Sequence, residues 1–155
     1  MQEILKNGYT IRAISKDDIE NIARIEKECF AVPMSEENIS NFLLGENSLS
    51  FVCYETNSND SPCAYGGAIC VLDEAQILNV ATAPPHRRKG LGNLVMTALI
   101  DAAQKKGIRS MTLEVRESNS AARNLYDNLG FYEIGRIKKY YVKPIEDALI
   151  LKLDI

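Results

Sequence analysis

Residues 77–115 constrain the fold of this chain more tightly than any other stretch. A short apolar run (77–81) stops before Pro84-Pro85, the basic glycine loop Arg87-Arg88-Lys89-Gly90-Leu91-Gly92 follows, and then come an amphipathic segment and a second apolar run (111–115). In the amphipathic segment Leu91, Leu94, Val95, Ala98, Leu99, Ala102 and Ala103 fall at offsets 0, 3, 4, 7, 8, 11 and 12, one face of an α-helix. Lys105-Lys106 and then Gly107 close that helix. Strand, helix and strand in this order require a parallel pair in one sheet, since a crossover helix is the connection parallel strands need.

The loop between strand and helix reads R-x-x-G-x-G, an anion cradle. Glycines let successive backbone N–H groups converge on an oxyanion, and the helix N-terminus adds partial positive charge. Position 95 is Val, so the dinucleotide spacing G-x-G-x-x-G is absent, and no G-x-x-x-x-G-K-S/T occurs. Taken alone, the same residues would also suit a solvated basic turn.

The remaining segments fit one domain, residues 1–155. A strand over 9–14 leads to a helix that Asp17 or Asp18 can cap, with Ile19, Ile22, Ala23, Ile25 and Glu26 at helical spacing. Beyond Pro33, Ser35 caps a second helix whose stripe is Ile39, Phe42 and Leu43. Strands over 49–55 and 63–72 flank a turn over 57–62, and strands over 75–81, 111–115, 131–137 and 148–153 follow, with a helix over 119–129. The order β-α-α-β-β-β-α-β-α-β-β predicts a mixed, mostly antiparallel seven-stranded α/β sheet with helices on both faces.

Charge and cysteine usage narrow the class. The net charge of −3 argues against a binder of nucleic-acid backbones, which carries a broad basic face. No window approaches the ~18 apolar residues of a membrane helix, and the first residues lack a secretory pattern, so a cytoplasmic protein is expected. Cys29, Cys53, Cys63 and Cys70 contain no C-x-x-C pair and His86 is the one histidine, which predicts buried free thiols and no metal.

Two side chains stand out chemically. Glu114 lies mid-strand between Leu113 and Val115, and in a sheet covered on both faces it must be paired, neutralised or open to a cleft; a salt bridge to Arg116 is one such pairing. Tyr126 borders the stripe of Ala122, Leu125 and Leu129, where it could equally be an amphipathic residue at the core edge. No G-x-S-x-G is present and His86 belongs to the anion loop, which excludes serine-triad hydrolysis.

The glycine loop, Leu113-Glu114-Val115 and the pattern N-x-x-A-x-x-L-Y-x-x-x-G-F over 119–131 together resemble the GCN5-related N-acetyltransferases, over nearly the whole chain. Within them, Leu113-Glu114-Val115-Arg116-x-x-Asn119 and Tyr140-Tyr141 followed by Glu146-Asp147-Ala148 resemble the RimI-type ribosomal-protein alanine N-acetyltransferases. The resemblance implies a sheet with a splayed parallel pair and acetyl-CoA as cosubstrate. It places the coenzyme A pyrophosphate at Arg87, Arg88, Lys89, Gly90, Leu91, Gly92 and Asn93, and the pantetheine along Val80, Ala81 and Thr82. Asn119 would lie beside the thiol, Glu114 would be general base and Tyr126 general acid. Met34, Tyr140 and Tyr141 would shape the acceptor site, and Met34 stands where the family pattern has an aromatic, so acceptor preference is the property it touches.

The chemistry needs such groups. An α-amine with a pKa near ~8 costs about 1.4 kcal/mol to deprotonate at neutral pH, whereas a lysine near ~10.4 costs about 4.6, so an N-terminal amine is the easier nucleophile. A carboxylate near ~4.3 is a weak base, so Glu114 must be raised by burial or act through a water. Tyr126 can give a proton to the leaving thiolate. No cysteine lies in the motif region, which predicts direct transfer in a ternary complex, and the resemblance implies the N-terminal alanine of a small-subunit ribosomal protein as the acceptor. Two rivals remain at this stage: the same fold acetylating a small amine or amino acid, and a coenzyme A-binding module without turnover.

Overall fold

The computed structural model describes residues 4–6, 8–57 and 62–155. In chain order the elements are β1 (Ile4–Lys6), β2 (Tyr9–Ala13), α1 (Ile19–Cys29), α2 (Glu36–Leu43), β3 (Ser48–Glu55), β4 (Pro62–Val71), β5 (Glu74–Thr82), α3 (Leu91–Lys105), β6 (Ser110–Arg116), α4 (Ser120–Asn128), β7 (Tyr132–Val142) and β8 (Ile145–Asp154). They form one mixed sheet in the order β1-β2-β3-β4-β5-β6-β8-β7. The expected seven strands are all present, and the three-residue β1, pairing antiparallel to β2, adds an eighth at one edge. The turn expected over 57–62 lies mostly outside the described residues.

Strand alternation separates two cores. Phe51 and Cys53 pack with α3 and α4, whereas Val52 between them packs with α1 and α2, as the two-residue period of a strand demands. Val95, Leu99 and Met96 of α3 are fully buried on the first face; Ile22, Ile25, Ile39 and Leu43 fill the second. Burying each such side chain contributes roughly 1.5–3 kcal/mol. β4 lies between both layers and carries Gly66-Gly67 because there is no room for more: a Cβ on Gly66 would sit 2.6 Å from Val95 Cγ1, and one on Gly67 would collide with Leu43.

Two irregularities of β5 create an opening in the sheet. The β4–β5 register passes from Gly67↔Asn79 to Ala68↔Ile77, so Leu78 is an extra, bulged residue that bends β5. On its other edge β5 is parallel to β6 only from Glu74↔Ser110 to Gln76↔Thr112, although both strands run on, to Thr82 and Arg116. Beyond Gln76 the two strands part, which is the splayed parallel pair the resemblance implied.

Local chemistry departs from expectation at two places. Asp18 holds the N-cap position of α1, yet its carboxylate turns back to Arg12, at 2.7 and 2.8 Å, and to the Ser15 N–H at 2.8 Å, because a short 3-10 turn (Lys16–Asp18) precedes the helix. The β7–β8 hairpin is longer than the apolar runs 131–137 and 148–153 suggested. Register shifts at Glu133/Gly135 and Ile137/Tyr141, with Lys139 at φ 53°, let polar residues continue the ladder.

Candidate active site

The glycine loop folds as its sequence indicates. A short 3-10 turn at Pro84–His86 ends β5's run, Arg88 and Gly90 take left-handed backbone (φ 65° and 77°), and α3 starts at Leu91. Gly90 has no side chain to cap α3, so the first-turn N–H groups of Leu91, Gly92 and Asn93 have no partner within the helix. No atom lies within 4 Å of where a Gly90 Cβ would be, so the cradle opens onto free space. That space is a groove of about 340 Å³ lined by Lys89, Gly90, Leu91, Asn93 and Leu94 with Tyr9 and Thr97. These residues fit a pyrophosphate. Arg87 is the exception among the basic residues: its Nε donates to the Thr82 carbonyl at 3.1 Å and its guanidinium lies 3.5 Å from Cys29 Sγ, tying the loop to α1.

Val80, Ala81 and Thr82 pair with Gly66, Tyr65 and Ala64 of β4, and their other edge faces the opening where β6 has diverged. An extended chain can hydrogen-bond there as a strand would. A larger groove, about 570 Å³, lies beside α4 and β7 around Arg123, Asp127, Tyr132 and Glu133, and neither Glu114 nor Tyr126 lines it.

Glu114 sits just past the last parallel pair, half-buried. Its Oε1 accepts from Gln76 Nε2 at 3.3 Å. The salt bridge to Arg116 does not form: Arg116 pairs with Glu146 at 3.2 Å instead. Leu113 and Val115 belong to the α3/α4 core, so Glu114 lies on the α1/α2 face, and Tyr126, in α4, approaches from the other side. Tyr126 is buried, edge-on to Phe131 with ring centroids 5.7 Å apart. Burial, and then the neighbouring Tyr141, push its phenol up to about 12, which keeps the proton on. Asn119 caps α4, its Oδ1 accepting from Ala122 N–H at 3.2 Å, and its amide nitrogen is the half of the side chain not engaged in the cap.

Tyr141 lies in β7, paired with Glu146 of β8. Burial raises its phenol to about 12, with Tyr140 and Glu114 adding to the rise. Tyr140 stands edge-on to it at 5.0 Å and is exposed. The Arg116 guanidinium lies 4.2 Å over the Tyr141 ring and donates to the carbonyls of Lys143 (3.1 Å) and Pro144 (2.9 Å). Glu146 in turn accepts from the Ser118 backbone N–H, and Asp147 from that of Lys139 at 2.9 Å.

Met34 lies in the α1–α2 connection, held by a group that periodicity left unexplained. Glu26 is fully buried; it accepts Met34 N–H at 2.9 Å, Asn79 Nδ2 at 3.1 and 3.2 Å, and the Tyr65 hydroxyl in a short hydrogen bond. Burial pushes its carboxyl above the usual range, against the pull of those donors. A carboxylate on the apolar stripe of α1 was the signal. Its partners, far apart in sequence, could not be read.

The pattern of the Acetyltransferase (GNAT) family matches residues 17–131. The chain is 36% identical over 148 residues to the [ribosomal protein bS18]-alanine N-acetyltransferase of Escherichia coli strain K12, covering 94% of this chain and 97% of that one. It is 40% identical over 146 residues to the protein of the same name from Haemophilus influenzae, covering 91% and 95%. The crystal structure of the Escherichia coli ribosomal-protein-S18-alanine N-acetyltransferase superposes with a TM-score of 0.86 over 95% of this chain and 94% of that one. Arabidopsis thaliana NAA60, in complex with a bisubstrate analogue, also gives 0.86 at 18% identity, a likeness of fold.

Proposed function

The chain belongs to the GNAT acetyltransferase family, and on that premise we propose that it transfers the acetyl group of acetyl-CoA to the N-terminal alanine α-amine of ribosomal protein bS18. It works in the cytoplasm and requires neither metal, nucleic acid nor membrane. The observation that carries this reading is the opening between β5 and β6 beside the glycine loop, with Glu114 just past the last parallel pair and Tyr126 buried in the core on the other face.

Acetyl-CoA supplies the electrophilic thioester carbonyl. The backbone of Arg88 to Asn93 and the start of α3 hold its phosphates, with Arg87 fixing the loop, and the free edge of Val80 to Thr82 pairs with the pantetheine. Asn119 contacts the cosubstrate near the sulfur through its amide nitrogen. Glu114, steadied by Gln76, takes the proton of the acceptor amine, directly or through a water. Tyr126 gives its proton to the departing thiolate, and transfer is direct within a ternary complex. Met34, Tyr140 and Tyr141 bound the acceptor groove, where an aromatic pair on a hairpin suits a peptide backbone entering as an extended segment.

Turnover on a hexapeptide beginning Ala-Arg-Tyr, compared with free amino acids and polyamines, tests the acceptor. The peptide is expected to be strongly preferred; a preference for small amines would transfer the reading to a small-molecule acetyltransferase of the same fold.

A further inference from the structure

We infer that Glu55, Cys63 and His86 form a binding site for a zinc-like divalent cation, outside the acetyl-transfer machinery. Among the described residues they are the one group of three whose potential ligand atoms all lie within 4.8 Å of one another. Glu55 ends β3, Cys63 is the second residue of β4 and His86 ends the 3-10 turn before the glycine loop. Their linear separation hides the cluster from a search for metal-binding spacing, and the sheet assembles it.

Three properties of the group point to a metal. The first is an orphaned polar atom: His86 Nδ1 is buried without a hydrogen-bond partner, and Glu55 Oε1 stands 3.6 Å from it, beyond hydrogen-bond range. The second is spacing. Tetrahedral zinc with bonds of about 2.0–2.3 Å to N, O and S holds its ligands roughly 3.4–3.6 Å apart, so the His86–Glu55 pair already stands at the required separation. The third is the ligand set, one imidazole, one carboxylate and one thiol, which suits a borderline cation and not magnesium or calcium.

On binding, the Cys63 thiol releases its proton to solvent and a sulfur–metal bond forms. The neutral imidazole of His86 donates the Nδ1 lone pair and keeps its proton on Nε2. The Glu55 side chain is 50% exposed, so water reaches the fourth position. A bound ion would join the β3–β4 hairpin to the segment leading into the Arg87 to Gly92 loop.

Titration of the purified, metal-stripped protein with Co²⁺ and then Zn²⁺ tests the site without reference to activity. One equivalent of Co²⁺ should give a thiolate-to-metal charge-transfer band that Zn²⁺ abolishes, and Zn²⁺ should raise the unfolding temperature. Cys63→Ser should remove the band, and His86→Asn and Glu55→Gln should each weaken Zn²⁺ by at least about tenfold, the smaller loss seen even for outer-sphere partners. No band, a band that survives Cys63→Ser, or affinity unchanged in the variants would overturn the proposal; the last two would mean an adventitious ion only. Cys63→Ser is nearly isosteric, and its unfolding transition in chelator shows whether it folds.

Discussion

At the residue scale the decisive groups are those a strand or helix holds in an environment at odds with their chemistry. Tyr126 is the clearest. With its phenol near 12 it stays protonated at neutral pH, so if Tyr126 is the acid, alkaline loss of activity through it should be absent below that value. Tyr126→Phe should lower kcat by about 10²–10⁴, the usual contribution of a positioned proton donor, while the dissociation constant of coenzyme A, measured by calorimetry, stays within a factor of about two. Glu114→Gln should behave alike if Glu114 is the base, and turnover near wild type in either variant would remove that residue from the mechanism. Both stand out in the sequence as candidates because each breaks a local pattern, a carboxylate in an apolar strand and a phenol at the edge of an apolar stripe, while the roles proposed for them come from the resemblance. Glu26 also breaks its pattern, but its roles toward Met34, Tyr65 and Asn79 come from three different elements and appear only in the fold.

At the scale of elements, periodicity located the four α-helices of the described residues and the parallel crossover, since these depend on short-range spacing. It did not locate the ends of β7 and β8, because the shifts at Glu133/Gly135 and Ile137/Tyr141 break the two-residue alternation, nor the three-residue β1, whose existence depends on its partner. The hairpin that carries Tyr140 and Tyr141 is tied to β6 by Arg116. Arg116→Ala removes the contact with Tyr141 and the bonds to the Lys143 and Pro144 carbonyls, and should raise the peptide KM roughly tenfold, about 1.4 kcal/mol, within the range of a partly desolvated cation–π contact. The KM for acetyl-CoA should not move; a rise in both would mean that the variant disturbs the sheet and not the hairpin alone. The start of α1 gives a pH prediction. Burial of Asp18 works to raise its carboxyl, but Arg12 and Ser15 outweigh it, and the net value lies below the ordinary 3.8. A depressed carboxyl contributes stability above its unfolded value that is lost as pH falls through the folded one. In urea unfolding, Asp18→Asn should therefore be less stable than wild type by about 1–3 kcal/mol at neutral pH, with the difference vanishing in acid below the ordinary carboxylate range. A difference constant with pH would mean that packing, not charge, carries it.

At the scale of the whole molecule, the same feature makes the site and weakens the sheet. β1 to β5 form one antiparallel block and β6, β8 and β7 another, and the paired backbone between them is the short parallel stretch of Glu74–Gln76 with Ser110–Thr112. α3 and the shared apolar core bridge the blocks on one face, while the other half of the interface is the opening itself. A cosubstrate whose arm pairs with Val80 to Thr82 would therefore complete the sheet as well as react. Mass action fixes the size of the effect: a ligand at about 100 times its dissociation constant adds about 2.7 kcal/mol, which for a domain of this length raises the unfolding temperature by roughly 5–10 °C. Coenzyme A should produce that rise and, in hydrogen exchange, slow the amides along 77–82 and 88–93, with smaller changes in β2 and β3. Gly90→Ala, which strains a left-handed residue and projects a methyl into the cradle, should diminish both effects together. Protection confined to the glycine loop, with none along 77–82, would show that the phosphates anchor the ligand without the arm entering the sheet, and the opening would then need another occupant.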